Sequence, residues 1–189
     1  MAKKFPNILI IGCMGSGKDT VADTLHELAD YRTLKLGRWI REHVDLLYYD
    51  ETPDRKRQLY QEYGQWARKN YGPDVWNVAT LNSMSMLAGA FSSAPYPFVI
   101  ADGRQVNEVE FWKKRGFHVV GVQADPFVRA LRLRGRDGFN QETAFKHETE
   151  ISAQYIMDNG LCDSMIDNTG ICIAEFKRKI TAWLVDISI

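Results

Sequence analysis

Cysteine is scarce in this chain. Cys13, Cys162 and Cys172 are odd in number and form no Cys-x-x-Cys pair, which argues against a disulfide framework or a zinc site and for reduced thiols. Net charge is missing as well. The 24 basic and 24 acidic side chains cancel, so no global field draws nucleic acid or an anionic membrane, and neither is expected as a partner. No segment reaches the ~18 apolar residues that a membrane span requires. The opening MAKKFPNILIIG joins two lysines to a short apolar run and has neither the length nor the small-residue cleavage site of a secretory signal. A cytoplasmic protein is the expectation. Internal repeats and low-complexity tracts are also lacking, which excludes a repeat architecture.

With 189 residues, 45% hydrophobic and 25% charged, the chain has the composition of one globular domain with a substantial core. Short β-rich runs recur at Asn7 to Cys13, Thr33 to Gly37, Pro97 to Asp102, Phe117 to Ala124 and Asp163 to Asn168. PFVIAD and VVGV show little polar alternation, as strands covered on both faces do. Helical patterns separate these runs. Thr52 before Pro53 reads as an N-cap followed by proline at the first helical position, opening a helix toward Lys69. VNEVEFWKKRG is helical and stops at Gly116. The closing CIAEFKRKITAWLVDI sets Ile173, Phe176, Ile180 and Leu184 on one docking face. This alternation predicts an α/β fold built on a mainly parallel sheet. The core takes about 1–36, 96–136 and 151–189, and a helical insert takes about 37–95.

The sharpest motif is GCMGSGKDT, placed after a predicted strand and before a predicted helix. Gly12-x4-Gly17-Lys18 has the spacing of a P-loop. Gly12, Met14, Gly15, Ser16 and Gly17 would turn backbone N–H groups inward as an anion nest, and Lys18 would supply a cation for the outer phosphates. ATP and Mg2+ are the implied cofactors. Asp19 stands where many P-loops carry a hydroxyl. Either it holds a magnesium-bound water or it favours the positive end of the helix. Thr20 offers a hydroxyl one place later.

VIADGRQVNEVE puts Asp102 at the carboxyl end of a buried strand, where ligands bind in parallel sheets, with Arg104 close behind. Asp102 can organise magnesium through water, and Arg104 can present two donors to a phosphate. A surface ion pair between Arg104 and Glu108 is the plainer alternative. Arg129, Arg132, Arg134 and Arg136 precede a glycine-bearing loop. Arg132 and Arg136 suit stabilisation of a migrating phosphoryl group, whereas Arg134 suits a solvated helix end. Residues 137–150 would form a short lid, with His147 in a structural role.

These motifs resemble the nucleoside monophosphate kinases. GKDT is similar to the loop of the deoxynucleoside monophosphate kinases, and Asp102, Arg104 and Glu108 match their Asp-x-Arg-x-x-x-Glu. RLRGR resembles the approach to the adenylate kinase lid at Arg132 and Arg136. In the insert, Tyr60, Gln61, Gly64, Arg68, Gly72, Asp74 and Trp76 follow the register of the same family, with Tyr60 replacing a leucine. The resemblance implies a P-loop NTPase three-layer sandwich with a five-stranded parallel sheet of order 2-3-1-4-5. It implies transfer of the γ-phosphoryl of ATP to a (deoxy)nucleoside monophosphate. Lys18, Arg104, Arg132, Arg136 and Asp102 would carry the chemistry, and Asn168 and Gly170 would flank the adenine. Arg38, Arg68, Trp66 and Trp76 would take the acceptor, although core packing competes for both tryptophans. A monomer or a homodimer is expected. Two rivals stand beside this reading: a dephospho-CoA kinase-like enzyme acting on a sugar hydroxyl, and a nucleotide-binding switch without an acceptor. The arginine cluster weighs against the switch, as does the lack of Asn-Lys-x-Asp.

Overall fold

The computed structural model describes residues 5–90, 96–134, 145–146, 148–170 and 172–188. Five strands form one parallel sheet: β1 (Ile8–Ile11), β2 (Arg32–Leu34), β3 (Phe98–Gly103), β4 (His118–Gln123) and β5 (Ser164–Asp167). Their order is β2-β3-β1-β4-β5, as expected. Parallel neighbours need a crossover between them, and helices supply it. These are α1 (Lys18–Ala29), α2 (Gly37–Leu47), α3 (Pro53–Tyr71), α4 (Val75–Ala90), α5 (Val106–Lys113), α6 (Pro126–Leu133), α7 (Glu148–Asp158) and α8 (Ile173–Ile187).

Side-chain alternation along β1 explains the two layers. Leu9 and Ile11 face a core with Ile100, Val109, Trp112, Val119 and Ile156, whereas Ile8 and Ile10 face Val21, Leu25, Val99, Val122 and Phe176. All four β1 residues are fully buried, so the run ILII is apolar on both faces. Phe176, Ile180 and Leu184 dock α8 onto the second layer. Ile173 does not join them. It is 67% exposed and lines the first cavity described below.

The insert is three helices, α2 to α4. Thr52 caps α3 through its hydroxyl, which accepts from Arg55 N at 3.3 Å, with Pro53 in the first turn. Asp74 and Trp76 act as structural ties. Trp76 is buried and donates from Nε1 to Gly64 O at 3.2 Å. Asp74 Oδ1 accepts from Asn77 and Asn107, both at 2.9 Å, and so ties α4 to α5. Trp112 donates to Asn77 Oδ1 at 2.9 Å and locks the insert to the core.

Candidate active site

The P-loop lies between β1 and α1, at the carboxyl edge of the sheet. Gly12 approaches β4 so closely that a Cβ would stand 2.5 Å from Val122 O. Gly17 has φ +106°, a left-handed conformation that favours glycine, and a Cβ there would meet Asn168 Nδ2 at 2.5 Å. The first intrahelical bond runs from Val21 N to Gly17 O, 3.1 Å. The amides of Lys18, Asp19 and Thr20 precede it and have no acceptor within the helix. Ser16 Oγ is fully buried and has no hydrogen-bond partner among the described residues. Amides without helical acceptors, an unpaired hydroxyl and glycines where no side chain fits make a cradle suited to phosphate.

Lys18 lies across the loop, donating to Gly12 O at 2.5 Å and Cys13 O at 2.9 Å. Burial, with the nearby Arg104 charge next in size, pushes its ammonium down to about 8. Beside it a cavity of about 320 Å³ is lined by Gly15, Gly17, Lys18, Asp19, Thr20, Arg132, Asn168, Ile173 and Phe176. Arg132 spans its wall, donating to Gly15 O at 3.2 Å and Asn168 O at 2.8 Å. Asn168 donates back to Ser16 O at 2.8 Å. Ile173 and Phe176 give this cavity an apolar side. Met14 and Gly170 are not part of this lining. Met14 N donates to Glu150 Oε1 and Oε2 at 3.0 and 2.8 Å.

A second cavity, about 250 Å³, opens between the insert and the end of β3. Arg41, Arg68, Arg104 and Asp102 line it with Ile40, Tyr60, Gln61 and Gln65. Asp102 accepts from Leu36 N at 2.7 Å and Gly37 N at 3.0 Å, so the strand-end acid holds the start of α2. Arg68 pairs with Glu108 at 3.3 Å. Glu108 is buried, not a surface partner of Arg104. Its Oε2 accepts the backbone N–H groups of Arg104 (2.7 Å) and Gln105 (3.0 Å). Burial pushes this carboxyl up, opposed by those amides and by Arg68.

Of the residues assigned to the acceptor from sequence, the structure brings Arg68 and Arg104 into this cavity. Arg38 is turned to Glu42 at 2.6 Å, and Arg41, one helical turn on, lines the wall in its place. Trp66 is half exposed, stacked on Tyr63 at 5.7 Å, and Trp76 is core; neither lines the cavity. Asp19 bonds Lys35 at 2.8 Å at the rim of the first cavity. Arg136, His147 and most of the lid lie outside the described residues.

One residue missed in the sequence stands at the centre. Glu150, in the first turn of α7, is buried and meets Arg104 at 3.0 Å, Arg129 at 3.3 Å and the amide of Met14. Cys13, within the loop, is buried, and burial and then Glu150 push its thiol up, which keeps it unreactive.

Among the described residues no three metal-ligating side chains stand together. Mg2+ is held in such sites chiefly by phosphate oxygens and water, so the available carboxylates fit it as ligands to its water shell. Asp19 lines the first cavity and Asp102 the second, where the amides of Leu36 and Gly37 engage both Asp102 oxygens.

A family model for the AAA domain matches residues 8–153, from β1 into α7. The chain belongs to the AAA domain family. No curated protein sequence matches it. Among solved structures, this AAA domain is similar to TT1252 from Thermus thermophilus, with TM-score 0.58, 20% identity, and coverage of 97% of this chain and 99% of the other. It is similar to the shikimate kinase from Acinetobacter baumannii, with TM-score 0.53, 19% identity and coverage of 97% and 94%. A sugar kinase from Janibacter sp. matches with TM-score 0.51, 12% identity and coverage of 96% and 95%. At these identities the likeness is one of fold, and that fold is the P-loop kinase α/β sandwich.

Proposed function

We propose that this AAA domain is a phosphotransferase that moves the γ-phosphoryl of ATP to a (deoxy)nucleoside monophosphate, giving ADP and the diphosphate. The observation that carries it is the place of Arg104. Its guanidinium lines the second cavity, yet its charge is close enough to depress the Lys18 ammonium of the first. Two cations at the seam of two cavities suit a phosphoryl group passing between them. Lys18 and the first-turn amides of α1 hold the donor phosphates. Arg132 braces the loop against the Asn168 turn, and Ile173 and Phe176 offer apolar surface to the adenine. Arg41, Arg68 and Arg104 receive the acceptor phosphate, whose oxygen is already anionic and needs no general base. Mg2+, when bound, screens the charge on the donor phosphates. Arg136 is proposed to close over the transferred group, and a cytoplasmic monomer or homodimer is the setting proposed.

A second reading follows from the likeness to a shikimate kinase and a sugar kinase, whose names imply hydroxyl acceptors. A hydroxyl acceptor requires a base, and Asp102 is the carboxylate on that cavity. Both its oxygens are engaged by the amides of Leu36 and Gly37, and three arginines share the cavity, which favours a phosphate acceptor. ADP release is measured with saturating ATP against a panel of deoxynucleoside monophosphates, ribonucleoside monophosphates, dephospho-CoA, shikimate and simple sugars. Turnover with monophosphates supports the first reading. Turnover with a hydroxyl acceptor alone replaces it with the second, and ATP binding with no product anywhere supports a switch.

A further inference from the structure

Arg104 and Arg129 both pair with one carboxylate, Glu150, and the charges of Arg104 and Glu150 both reach the Lys18 ammonium. Glu150 is 4% exposed and every contact it makes is to a phosphate-handling segment or its support. Both oxygens accept the Met14 amide of the P-loop, Oε1 takes Arg104 Nη1, and Oε2 takes Arg129 Nη1. The two arginines differ. Arg129 is nearly buried, reaches back to Met14 O at 3.4 Å, and lines neither cavity. Arg104 is 28% exposed in its side chain and lines the acceptor cavity. Arg129 therefore serves as the fixed counter-charge, and Arg104 is the one presented outward.

A buried ion cluster is a weak device for stability alone, since apolar residues of similar volume do as well or better. What it supplies is fixed geometry for a group that must meet a phosphate. We propose that Glu150 is a positioning residue for phosphoryl transfer: from α7 it holds the Arg104 guanidinium beside the P-loop amide of Met14, and so sets where the acceptor phosphate is received. This rests on the kinase reading above. The link also ties α7 to the loop that holds the donor, so that donor and acceptor sites share one rigid joint.

The test is a double-mutant cycle of Glu150→Gln and Arg104→Ala, with KM and kcat for both substrates measured alongside the melting temperature. Glu150→Gln is expected to raise the acceptor KM on the order of tenfold, as loss of one charge-assisted contact does, while ATP affinity changes far less. In the Arg104→Ala background the same change is expected to have no further effect on the acceptor. Glu150→Asp, which keeps the charge, is expected to recover part of the acceptor KM. Additive losses in the cycle, or equal losses for ATP and acceptor, overturn the proposal and leave Glu150 a structural residue. Should Glu150→Gln fail to fold, Glu150→Asp goes through the same cycle with the same two outcomes. A wild-type protein that turns over no monophosphate sinks the kinase reading itself, and the proposal with it; turnover with an additive cycle sinks the proposal alone.

Discussion

Lys18 shows how burial turns an ordinary side chain into a ligand-responsive one. Its ammonium is depressed to about 8 by burial and then by Arg104, while Glu150, Cys13 and Asp19 pull the other way. Phosphate would restore the charge, so binding above pH 8 must take up a proton. ATP affinity is expected to hold from pH 6.5 to 7.5 and then fall with a slope approaching about tenfold per pH unit. Calorimetry at pH 8.5 in two buffers of different ionisation enthalpy should detect the proton taken up; a flat profile from pH 7 to 9.5 would count against a buried Lys18 as the phosphate cation. The sign for the fold is opposite. Because the folded value lies below the unfolded 10.5, the unfolded chain binds more protons between about 8 and 10.5, and the ligand-free protein gains stability from this group across that window. Arg104 makes a separate prediction. Arg104→Ala should raise the acceptor KM about 10- to 100-fold, the range for a charged hydrogen bond, with ATP binding altered little. Acceptor kinetics left unchanged would remove the acceptor assignment.

Loops and helix ends carry the chemistry here, and each is shaped by a local constraint. Gly17 and Gly116 both have positive φ, +106° and +77°. A Cβ at Gly116 would meet nothing within 4 Å, whereas at Gly17 Asn168 and Phe176 crowd the same position. Gly116→Ala should therefore cost about 1–2 kcal/mol of stability and spare nucleotide binding. Gly17→Ala should cost that much and also disrupt ATP binding, because the Asn168 bond to Ser16 O must shift. Thermal melts with and without ATP separate the two, and equal ATP responses would refute the distinction. The start of α2 follows the same logic from another direction. Leu36 and Gly37 have no side-chain cap of their own, and Asp102, 65 residues beyond Gly37, accepts from both amides. The start of α2 is thus fastened to β3, the strand that ends just before Arg104.

Across the molecule as a whole, several polar ties join the insert to the sheet, and Trp112 makes one of them. It is fully buried, packs its ring against Phe111 and Phe117 at 5.1 and 4.7 Å, and donates to Asn77 on α4. Trp112→Phe keeps most of the packing and leaves the Asn77 oxygen buried without that donor, a loss of about 1–3 kcal/mol. Chemical denaturation should show that loss in the midpoint. On the kinase reading the acceptor KM should rise as well, since α4 is part of the insert, while ATP affinity should hardly respond. A loss of ATP affinity equal to that for the acceptor would mean that the insert and the sheet are not separable in this way.

Much of this architecture is local and therefore legible in the residues themselves. ILII and PFVIAD announce strands with two covered faces, Thr52–Pro53 announces a helix start, and the glycines of GCMGSGKDT announce a turn that no side chain could enter. Each depends on steric and solvation preferences acting over a few residues. Partner choice is another matter. Met14 and Glu150 are 136 residues apart, and nothing in ETEIS marks that glutamate as the one that meets the P-loop. Arg38 and Arg41 look equivalent in GRWIREH; the rotation of α2 gives one to Glu42 and the other to the second cavity. Trp76 reads as aromatic surface for a base until Gly64 is seen to lie beneath it. Side chains are directed by packing between segments far apart in the chain, and that packing exists only once the sheet has assembled.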